Sequence, residues 1–355
     1  MYNLTDLLLE VANKKASDLH LSVGLPPMVR VDTEIKTLGE EILTPESSKS
    51  LAYSILSKQQ IEKFERNNEL DASFPIQDMG RVRVNIFKQR GSISAAFRFI
   101  PQKTFSFEEL RLPKVIYDIV NLPKGLVLIT GATGSGKTTT LASMIDYINE
   151  RRCGHIITVE DPIEYLHSHK KCIVNQREIG SDTQSFATAL KYILRQDPDV
   201  ILIGEMRDLE TISAAITLAE TGHLVFATLH TMDASSSINR MVDVFPGNQQ
   251  AQIRSQLSLA LKAVFSQNLI PHISGQGMVL ASEVMIVTDS IRSIIREMKT
   301  EQLYSVIQTG KQSGMQTMNQ SLFDSVIKGC ILPQKAIEYS SRKDELVRLL
   351  QSVVR

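Results

Sequence analysis

The second half of the chain alternates short apolar runs with segments of helical periodicity. The apolar runs are GLVLIT, HIITVE, KCIVNQ, DVILIGE and HLVFATLH, and the helical segments lie at 137–152, 185–195, 209–221 and 234–242. Short, nearly continuous apolar strands that alternate with helices are typical of a parallel sheet covered on both faces. Beyond residue 250 the pattern is mostly helical, with one further strand predicted at 278–287.

The first hundred residues mix both patterns and predict a separate α+β domain. Helical spacing covers the start of the chain and 47–67, and strands are predicted at 27–31, 72–75, 80–88 and 92–100. The last two strands alternate apolar and polar residues around QRGS, which indicates a hairpin. Prolines mark 101–123 as a linker with a short helix. The predicted domains are therefore 1–100 and 124–355, the second one helical from about 290 onward.

Three arginines lie on the predicted hairpin: Arg81, Arg83 and Arg98. Residues two apart on a strand face the same side of a sheet, so Arg81 and Arg83 share a face. On this pattern alone, a solvated strand face is the simpler interpretation.

Charge and composition argue against several classes of protein. Lys+Arg and Asp+Glu both number 39, whereas a duplex DNA binder usually carries a basic excess because phosphate contacts dominate its affinity. The three cysteines are widely spaced and do not indicate a disulfide framework or a zinc site. The start MYNLTDLLLEVANKKASD predicts an amphipathic helix rather than a signal peptide, and no apolar run reaches membrane-spanning length. We therefore expect a cytoplasmic protein.

A glycine-rich loop follows the first strand of the predicted parallel sheet. Its sequence GATGSGKT matches the phosphate-binding pattern GxxxxGK[ST], with a predicted strand before it and a predicted helix after it. The glycines let backbone N–H groups approach phosphate oxygens, and the helix directs its positive end at the anion. Lys137 is predicted to reach the β- and γ-phosphates of ATP, and Thr138 to bind Mg²⁺. The predicted nucleotide-binding residues are Ala132, Thr133, Gly134, Ser135, Gly136, Lys137, Thr138 and Thr139.

The run DVILIGE predicts a buried strand that ends in an acid. That acid is Glu205, preceded by Gly204, whereas Asp199 stands at the other end of the strand. In a doubly wound sheet, ligands bind beyond the carboxyl ends of the strands. We therefore predict that Glu205, rather than Asp199, contacts metal or water.

Three carboxylates follow another predicted strand: Glu160, Asp161 and Glu164. One of them can orient or deprotonate an attacking water. Alternatively, Glu160 and Asp161 satisfy local backbone groups.

Two histidines flank the strand LVFATL. His223 opens this strand and His230 closes it. A zinc pair is not expected from histidines at opposite ends of one strand. A lone histidine is more often structural, but His230 falls at the same predicted sheet edge as Lys137 and Glu205 and is in a position to contact a γ-phosphate.

Four motifs thus stand in order: GATGSGKT, VEDPIEY, VILIGE and GH…TLHT. The set resembles the secretion ATPases of type II secretion and type IV pili, and stretches such as LRQDPDVILIGEMRD and GMQTMNQSL extend the resemblance over essentially the whole chain. The resemblance implies an α/β fold with a PAS-like N-terminal α+β domain and a RecA-like P-loop ATPase domain with a helical C-terminal portion. It also implies a homohexamer that uses ATP and Mg²⁺ and acts on an inner-membrane pilus platform protein, with no nucleic acid.

The resemblance also implies roles for single residues. Glu164 would be the general base for the attacking water, and Glu205 would hold Mg²⁺ through water. His230 would contact the γ-phosphate, and His223, a nucleotide-binding residue on this resemblance, would help couple the site to its neighbourhood. The arginines that would reach across the domain cleft to the phosphates are Arg81, Arg83 and Arg98, where they would stabilise the charge of the transferred group.

Two features of the sequence bear on which member of the family is resembled. SIRSIIRE at 290–297 resembles the family's C-terminal helix motif AIRNLIRE, with Ser290 and Ser293 as departures and Arg292 and Arg296 retained. A paired CxxC zinc module, which extension and secretion-type relatives carry, is absent from the sequence. The resemblance thus favours a motor for pilus retraction and twitching motility, peripheral at the inner membrane. A RecA-type nucleic-acid motor and an accessory or regulatory pilus ATPase paralogue remain open alternatives.

Overall fold

The computed structural model describes residues 2–14, 16–31, 34–76, 80–100 and 104–352. The chain divides into two compact units. The first consists of residues 1–103 with Glu164–Leu166, and the second consists of Thr104–Ile163 with His167–Arg355. The mixed α/β fold expected from the sequence is confirmed, with a sheet unit at the N-terminus and a P-loop unit after it.

The first unit is built on a six-stranded antiparallel sheet of order β3-β2-β1-β6-β5-β4. Its strands are β1 (Asp18–Leu21), β2 (Met28–Val31), β3 (Glu34–Thr37), β4 (Glu69–Ile76), β5 (Gly80–Gln89) and β6 (Ser92–Ile100). Its helices are α1 (Leu4–Asn13), α2 (Pro45–Tyr53) and α3 (Lys58–Asn67). Apolar side chains from α1 and from alternate positions of β5 and β6 form its core.

The predicted hairpin of the first unit is confirmed, and one helical prediction is refined. Arg90 and Gly91 both have positive φ, at 49° and 77°, as a two-residue type I′ hairpin turn requires. The predicted helical segment 47–67 is two helices, because Ser57 forms a capping box with Gln60 and begins α3. The short strands β1 and β3 were not predicted from the sequence.

The second unit is built on a seven-stranded sheet of order β13-β12-β7-β11-β10-β8-β9, in which only β13 is antiparallel to its neighbour. Its strands are β7 (Gly125–Thr130), β8 (His155–Glu160), β9 (Ile173–Glu178), β10 (Val200–Ile203), β11 (Leu224–Leu229), β12 (Leu261–Pro271) and β13 (Met278–Ile286). Alternate residues of the central strands enter two different hydrophobic cores, such as Leu128 on one face and Val127 on the other. The sheet is therefore covered on both faces, as the sequence predicted.

Helices cover this sheet and form the C-terminal part of the unit. They are α4 (Val115–Val120), α5 (Lys137–Arg151), α6 (Phe186–Ile193), α7 (Leu209–Glu220), α8 (Ala234–Asp243), α9 (Gly247–Ala260), α10 (Asp289–Glu297), α11 (Leu303–Thr309), α12 (Met318–Ile327), α13 (Pro333–Tyr339) and α14 (Lys343–Gln351). In α10 the isoleucines Ile291, Ile294 and Ile295 are buried, while Arg296 donates to Ser293 Oγ at 3.2 Å. Within the described residues, none of these helices combines the length and the apolar character needed to cross a membrane.

Two segments differ from the sequence-based picture. Strand β12 was predicted as helix, because no glycine or proline separates it from α9 and its residues also suit a helix. In the structure it pairs with β7 on one side and β13 on the other, and this pairing stabilises the strand. In the predicted linker, residues 101–103 lie outside the described part of the chain. From Thr104 onward the segment belongs to the second unit, where Phe107, Ile116 and Ile119 enter the core.

Candidate functional site

The glycine-rich loop lies at the carboxyl end of the central strand β7. Its glycine Gly136 has φ 88° and precedes α5, so the loop runs directly into the N-terminus of this helix. Ala132, Thr133 and Gly134 are exposed at the mouth of the loop, whereas Ser135 is buried. This arrangement combines open backbone N–H groups with the positive end of a helix, which is the chemistry that binds phosphate.

The Lys137 side chain folds back onto the same loop. Its Nζ donates to the carbonyl oxygens of Gly131 at 2.7 Å and Ala132 at 3.0 Å. Thr138 and Thr139 follow in the first turn of α5 and are half-buried. The loop residues predicted from the sequence therefore lie together, and their donors fit a nucleotide phosphate.

Glu205 lies just beyond β10 at the same edge of the sheet. Its carboxylate accepts two hydrogen bonds from Arg207, at 2.6 and 2.7 Å, and lies 3.1 Å from Nε2 of His230, which follows β11. Burial raises the pKa of the Glu205 carboxyl, but the hydrogen bond from Arg207 and the charge of His230 outweigh it, so the pKa lies below its ordinary value. Glu205 is therefore a carboxylate at neutral pH, as a ligand of hydrated Mg²⁺ must be.

Gly204 explains how the ends of β8 and β10 approach each other. A Cβ at this position would lie 3.2 Å from the Glu160 Cα atom and 3.2 Å from the Val159 oxygen. The Gly204 N–H donates to the same Val159 oxygen at 2.8 Å, and its own carbonyl accepts from the Thr228 hydroxyl. The absence of a side chain at Gly204 thus lets the ends of β8 and β10 approach closely at the residue before Glu205.

The three carboxylates after β8 differ in their surroundings. Glu160 is 8% exposed and accepts a hydrogen bond from the Thr158 hydroxyl at 2.6 Å. Asp161 is exposed and Glu164 is half-buried. The chain between them is held by the Ile163 N–H, which donates to Glu178 at 3.1 Å.

The segment after Glu164 is attached to the helix that follows the phosphate loop. Asp146 of α5 accepts hydrogen bonds from Lys170 Nζ at 2.7 Å and from the Thr104 hydroxyl at 2.8 Å. Asn149 of the same helix is fully buried and accepts from the Lys170 N–H at 3.1 Å. Helix α5 therefore joins the phosphate loop at one end to this segment at the other.

The structure does not place His223 at the phosphate site of its own chain, contrary to its assignment as a nucleotide-binding residue. Its carbonyl accepts from the N–H of Gly125, the first residue of β7, whereas the loop follows the last residue of that strand. A strand of six residues spans about 20 Å. His223 instead lines a cavity of about 330 Å³ at the amino edge of the sheet, together with Arg152 and Asp199.

The arginines lie on neighbouring strands of the first unit, as predicted. Arg83 and Arg98 are directly opposite each other on β5 and β6, and Arg81 is two residues from Arg83 on the same face. Like charges directly opposite each other destabilise a sheet. Acidic partners offset this here: Asp18 accepts from Arg98 Nε at 2.9 Å, and Asp71 lies 3.9 Å from Arg83.

Several residues at the site were not predicted from the sequence. Arg207 follows Glu205 in the stretch GEMRD, and its charge near a strand-end acid was a usable signal. By contrast, Gln267 of β12 contacts the phosphate loop, and Ser266 contacts Thr130 just before it, from a strand that the sequence did not predict. No local pattern distinguishes them, because their role depends on the pairing of β12 with β7.

Comparison with known proteins agrees with this geometry. The family described as "Type II/IV secretion system protein" matches residues 2–338. The chain belongs to this family. Among its type II/IV secretion relatives, the type IV pilus retractation ATPase PilT of Pseudomonas aeruginosa is 51% identical over 336 residues, which is 95% of this chain and 97% of the relative. A twitching motility protein of Neisseria gonorrhoeae is 48% identical over 310 residues, or 87% of this chain and 83% of that protein.

A solved member of the family has the same fold. The crystal structure of the pilus retraction motor PilT with bound ADP superposes with a TM-score of 0.93 at 50% sequence identity, and the match covers 98% of this chain and 100% of the other. The resemblance inferred from the four motifs is therefore confirmed.

Proposed function

We propose that the chain is an ATP-hydrolysing motor protein that powers type IV pilus retraction and twitching motility. The observation that carries this proposal is the near full-length identity of 51% to a pilus retractation ATPase, in a chain whose phosphate loop, Glu205 and His230 lie at one sheet edge. The phosphate loop supports ATP as the substrate. The role in pilus retraction is inferred from the relatives, because a phosphate loop does not indicate what the energy of ATP is used for.

The carboxyl edge of the second unit is the proposed binding site for the nucleotide. Backbone N–H groups of 132–138 and the Lys137 ammonium would bind the phosphates, and Thr138 with Glu205 would hold Mg²⁺, which would supply positive charge to offset that of the phosphates. His230 contacts the γ-phosphate and, through its 3.1 Å approach to Glu205, links that contact to the metal ligand.

Glu164 is the proposed general base for the attacking water. A Glu164→Gln variant removes the base but keeps the size and polarity of the side chain. We expect ADP affinity within about twofold of wild type and kcat reduced at least a hundredfold, since general base catalysis contributes roughly 10² to 10⁴. ADP titration and steady-state phosphate release measure the two quantities.

Asp161 provides the matched control for this experiment. It is an exposed carboxylate three residues away, and Asp161→Asn should leave kcat within about threefold. Normal turnover in the Glu164→Gln variant would assign the base to another residue.

The assembly and location are part of the proposal. The motor is a homohexamer in the cytoplasm, peripheral at the inner membrane through a pilus platform protein, and it uses no nucleic acid. A homohexamer predicts a sixfold mass in light scattering, and an ATPase rate unchanged by added DNA or RNA argues against a nucleic-acid motor.

A genetic experiment tests the cellular role. Deletion of the gene should give hyperpiliated cells without twitching, and a Lys137→Ala allele should fail to restore motility because phosphate binding is lost. Wild-type protein should restore it. Bald cells would indicate pilus extension instead, and unchanged piliation with weaker retraction would indicate an accessory paralogue.

A further inference from the structure

Strand β12 makes hydrogen bonds close to both ends of the phosphate loop. Before the loop, the Thr130 hydroxyl donates to Ser266 Oγ at 2.8 Å, in a fully buried contact. Near the end of the loop, the side-chain amide of Gln267 donates to the Ser135 carbonyl at 2.7 Å. Consecutive residues of one strand therefore fix the start and the end of the loop.

The loop also lies against β12 with no free space between them. A Cβ at Gly131 would lie 2.4 Å from the main-chain oxygen of Gln267. A Cβ at Gly136 would lie 3.1 Å from Gln267 Nε2 and 3.2 Å from Leu269 Cδ1. The close approach of this strand thus requires a glycine at Gly131, and at Gly136 it leaves little room for a side chain.

The hydrogen bond to Ser135 determines the direction of the next N–H group. In a planar trans peptide, the C=O and the following N–H point in opposite directions. The Ser135 carbonyl is held toward β12, so the N–H of Gly136 points away from this strand, to the side where a phosphate-binding loop presents its N–H groups.

Gln267 is buried in a way that suits a positioning role rather than packing. The residue is 1% exposed, and within the described part of the chain its Oε1 atom has no hydrogen-bond partner. An apolar side chain of the same length would fill the same space without burying an unpaired oxygen, which is unfavourable. The hydrogen bond from Nε2 to the loop is the contact that such a side chain could not make.

We propose that Gln267 is a positioning residue for nucleotide binding, whose side-chain amide orients the Ser135–Gly136 peptide so that the loop is preorganised for phosphate. The inference rests on the proposed ATPase function. It assigns to β12, a strand outside the four motifs, a part in the affinity for ATP and ADP.

Two substitutions test the proposal in the full chain. Gln267→Met keeps length and apolar volume but removes the donor, and Gln267→Glu keeps the shape but presents an acceptor to the Ser135 carbonyl. We expect the Kd for ADP, measured by calorimetric titration, to rise about tenfold in Gln267→Met, which corresponds to about 1.4 kcal/mol. The rise should be larger in Gln267→Glu. The KM for ATP should rise in parallel, and kcat at saturating ATP should stay within threefold.

Asn319→Leu is the matched control. Asn319 is 2% exposed, and its amide donates to the Arg342 carbonyl at 3.0 Å, in the helical part of the second unit. This variant loses a comparable buried amide bond, and we expect a lower melting temperature with an unchanged Kd for ADP.

The outcomes separate this inference from the proposed function. A wild-type protein that neither binds ADP nor hydrolyses ATP would overturn the function itself. If the wild type is active and both Gln267 variants bind ADP normally, the function stands and the positioning role is wrong. The role is also wrong if kcat falls while KM is unchanged, or if Asn319→Leu weakens ADP binding equally.

Discussion

Glu283 has a buried carboxyl group whose ionisation should make the second unit less stable at neutral pH. The residue is 4% exposed on β13, and its Oε1 accepts from the N–H of Ala234, the first residue of α8, at 2.9 Å. Burial raises the pKa of Glu283 to about 7; Asp233 adds to the rise, and the N–H groups of Ala234 and Met318 oppose it. Helix α8 follows the loop that contains His230.

The size and the sign of the effect follow from the two pKa values. The pKa of Glu283 is about 7 in the folded chain against an ordinary value of 4.5, and this difference of 2.5, at 1.36 kcal/mol for each step of one in pKa, amounts to about 3 kcal/mol. Because the folded state binds the proton more tightly, the free energy of unfolding decreases as pH rises from about 4.5 to about 7 and then levels off.

The substitution Glu283→Gln should remove this pH dependence. The amide is neutral at every pH and its oxygen can still accept from Ala234. Relative to wild type, the variant should gain stability from pH 5 to pH 8. For a unit of this size, about 3 kcal/mol corresponds to a change in Tm of roughly 6 to 12 °C. The Tm of the variant minus the Tm of the wild type should increase by about this amount from pH 5 to pH 8.

Calorimetric melting of both proteins at pH 5, 6, 7 and 8 measures this difference. Glu297→Gln is the control: Glu297 is exposed, and its hydrogen bond with Lys299 lowers the pKa of its carboxyl below 4.5, so no trend is expected in this range. A Tm difference between Glu283→Gln and wild type that stays constant with pH would refute the reasoning.

Two further predictions concern the ATPase site. Gly204→Ala should lower kcat about tenfold and leave the affinity for ADP nearly unchanged. The added Cβ would lie only 3.2 Å from the Glu160 Cα atom, and small misplacements of catalytic groups lower the rate strongly. Unchanged turnover would mean that the spacing of these strand ends is not critical. Arg81→Ala and Arg83→Ala should each lower kcat at least tenfold while Tm changes little, as these arginines lie on the face of the sheet opposite the core. The exposed Arg66 gives the control Arg66→Ala, and a kcat equal to wild type in both variants would exclude the arginines from catalysis.

The sequence predicted the phosphate loop and its neighbours because their signals are local. A strand, a glycine-rich turn and a helix N-terminus are consecutive in the chain, so GATGSGKT contains its own context. Glu205 and His230 were found for a related reason: each follows an apolar run, and the carboxyl ends of parallel strands meet at one edge. The hairpin that carries Arg81, Arg83 and Arg98 was likewise predictable from alternation around a two-residue turn.

Tertiary structure alone determined what lies behind the loop. Residues 261–271 suit a helix as well as a strand and become β12 through pairing with β7 and β13, and this pairing brings Gln267 to Ser135. The environment of Glu283 likewise depends on α8 and α12 meeting β13. Such contacts join residues more than a hundred positions apart, as for Gln267, or about fifty apart, as for Glu283. The sequence by itself determined the chemistry of the phosphate site, whereas only packing decided which buried side chains hold it in place, because burial and pairing are properties of the assembled sheet.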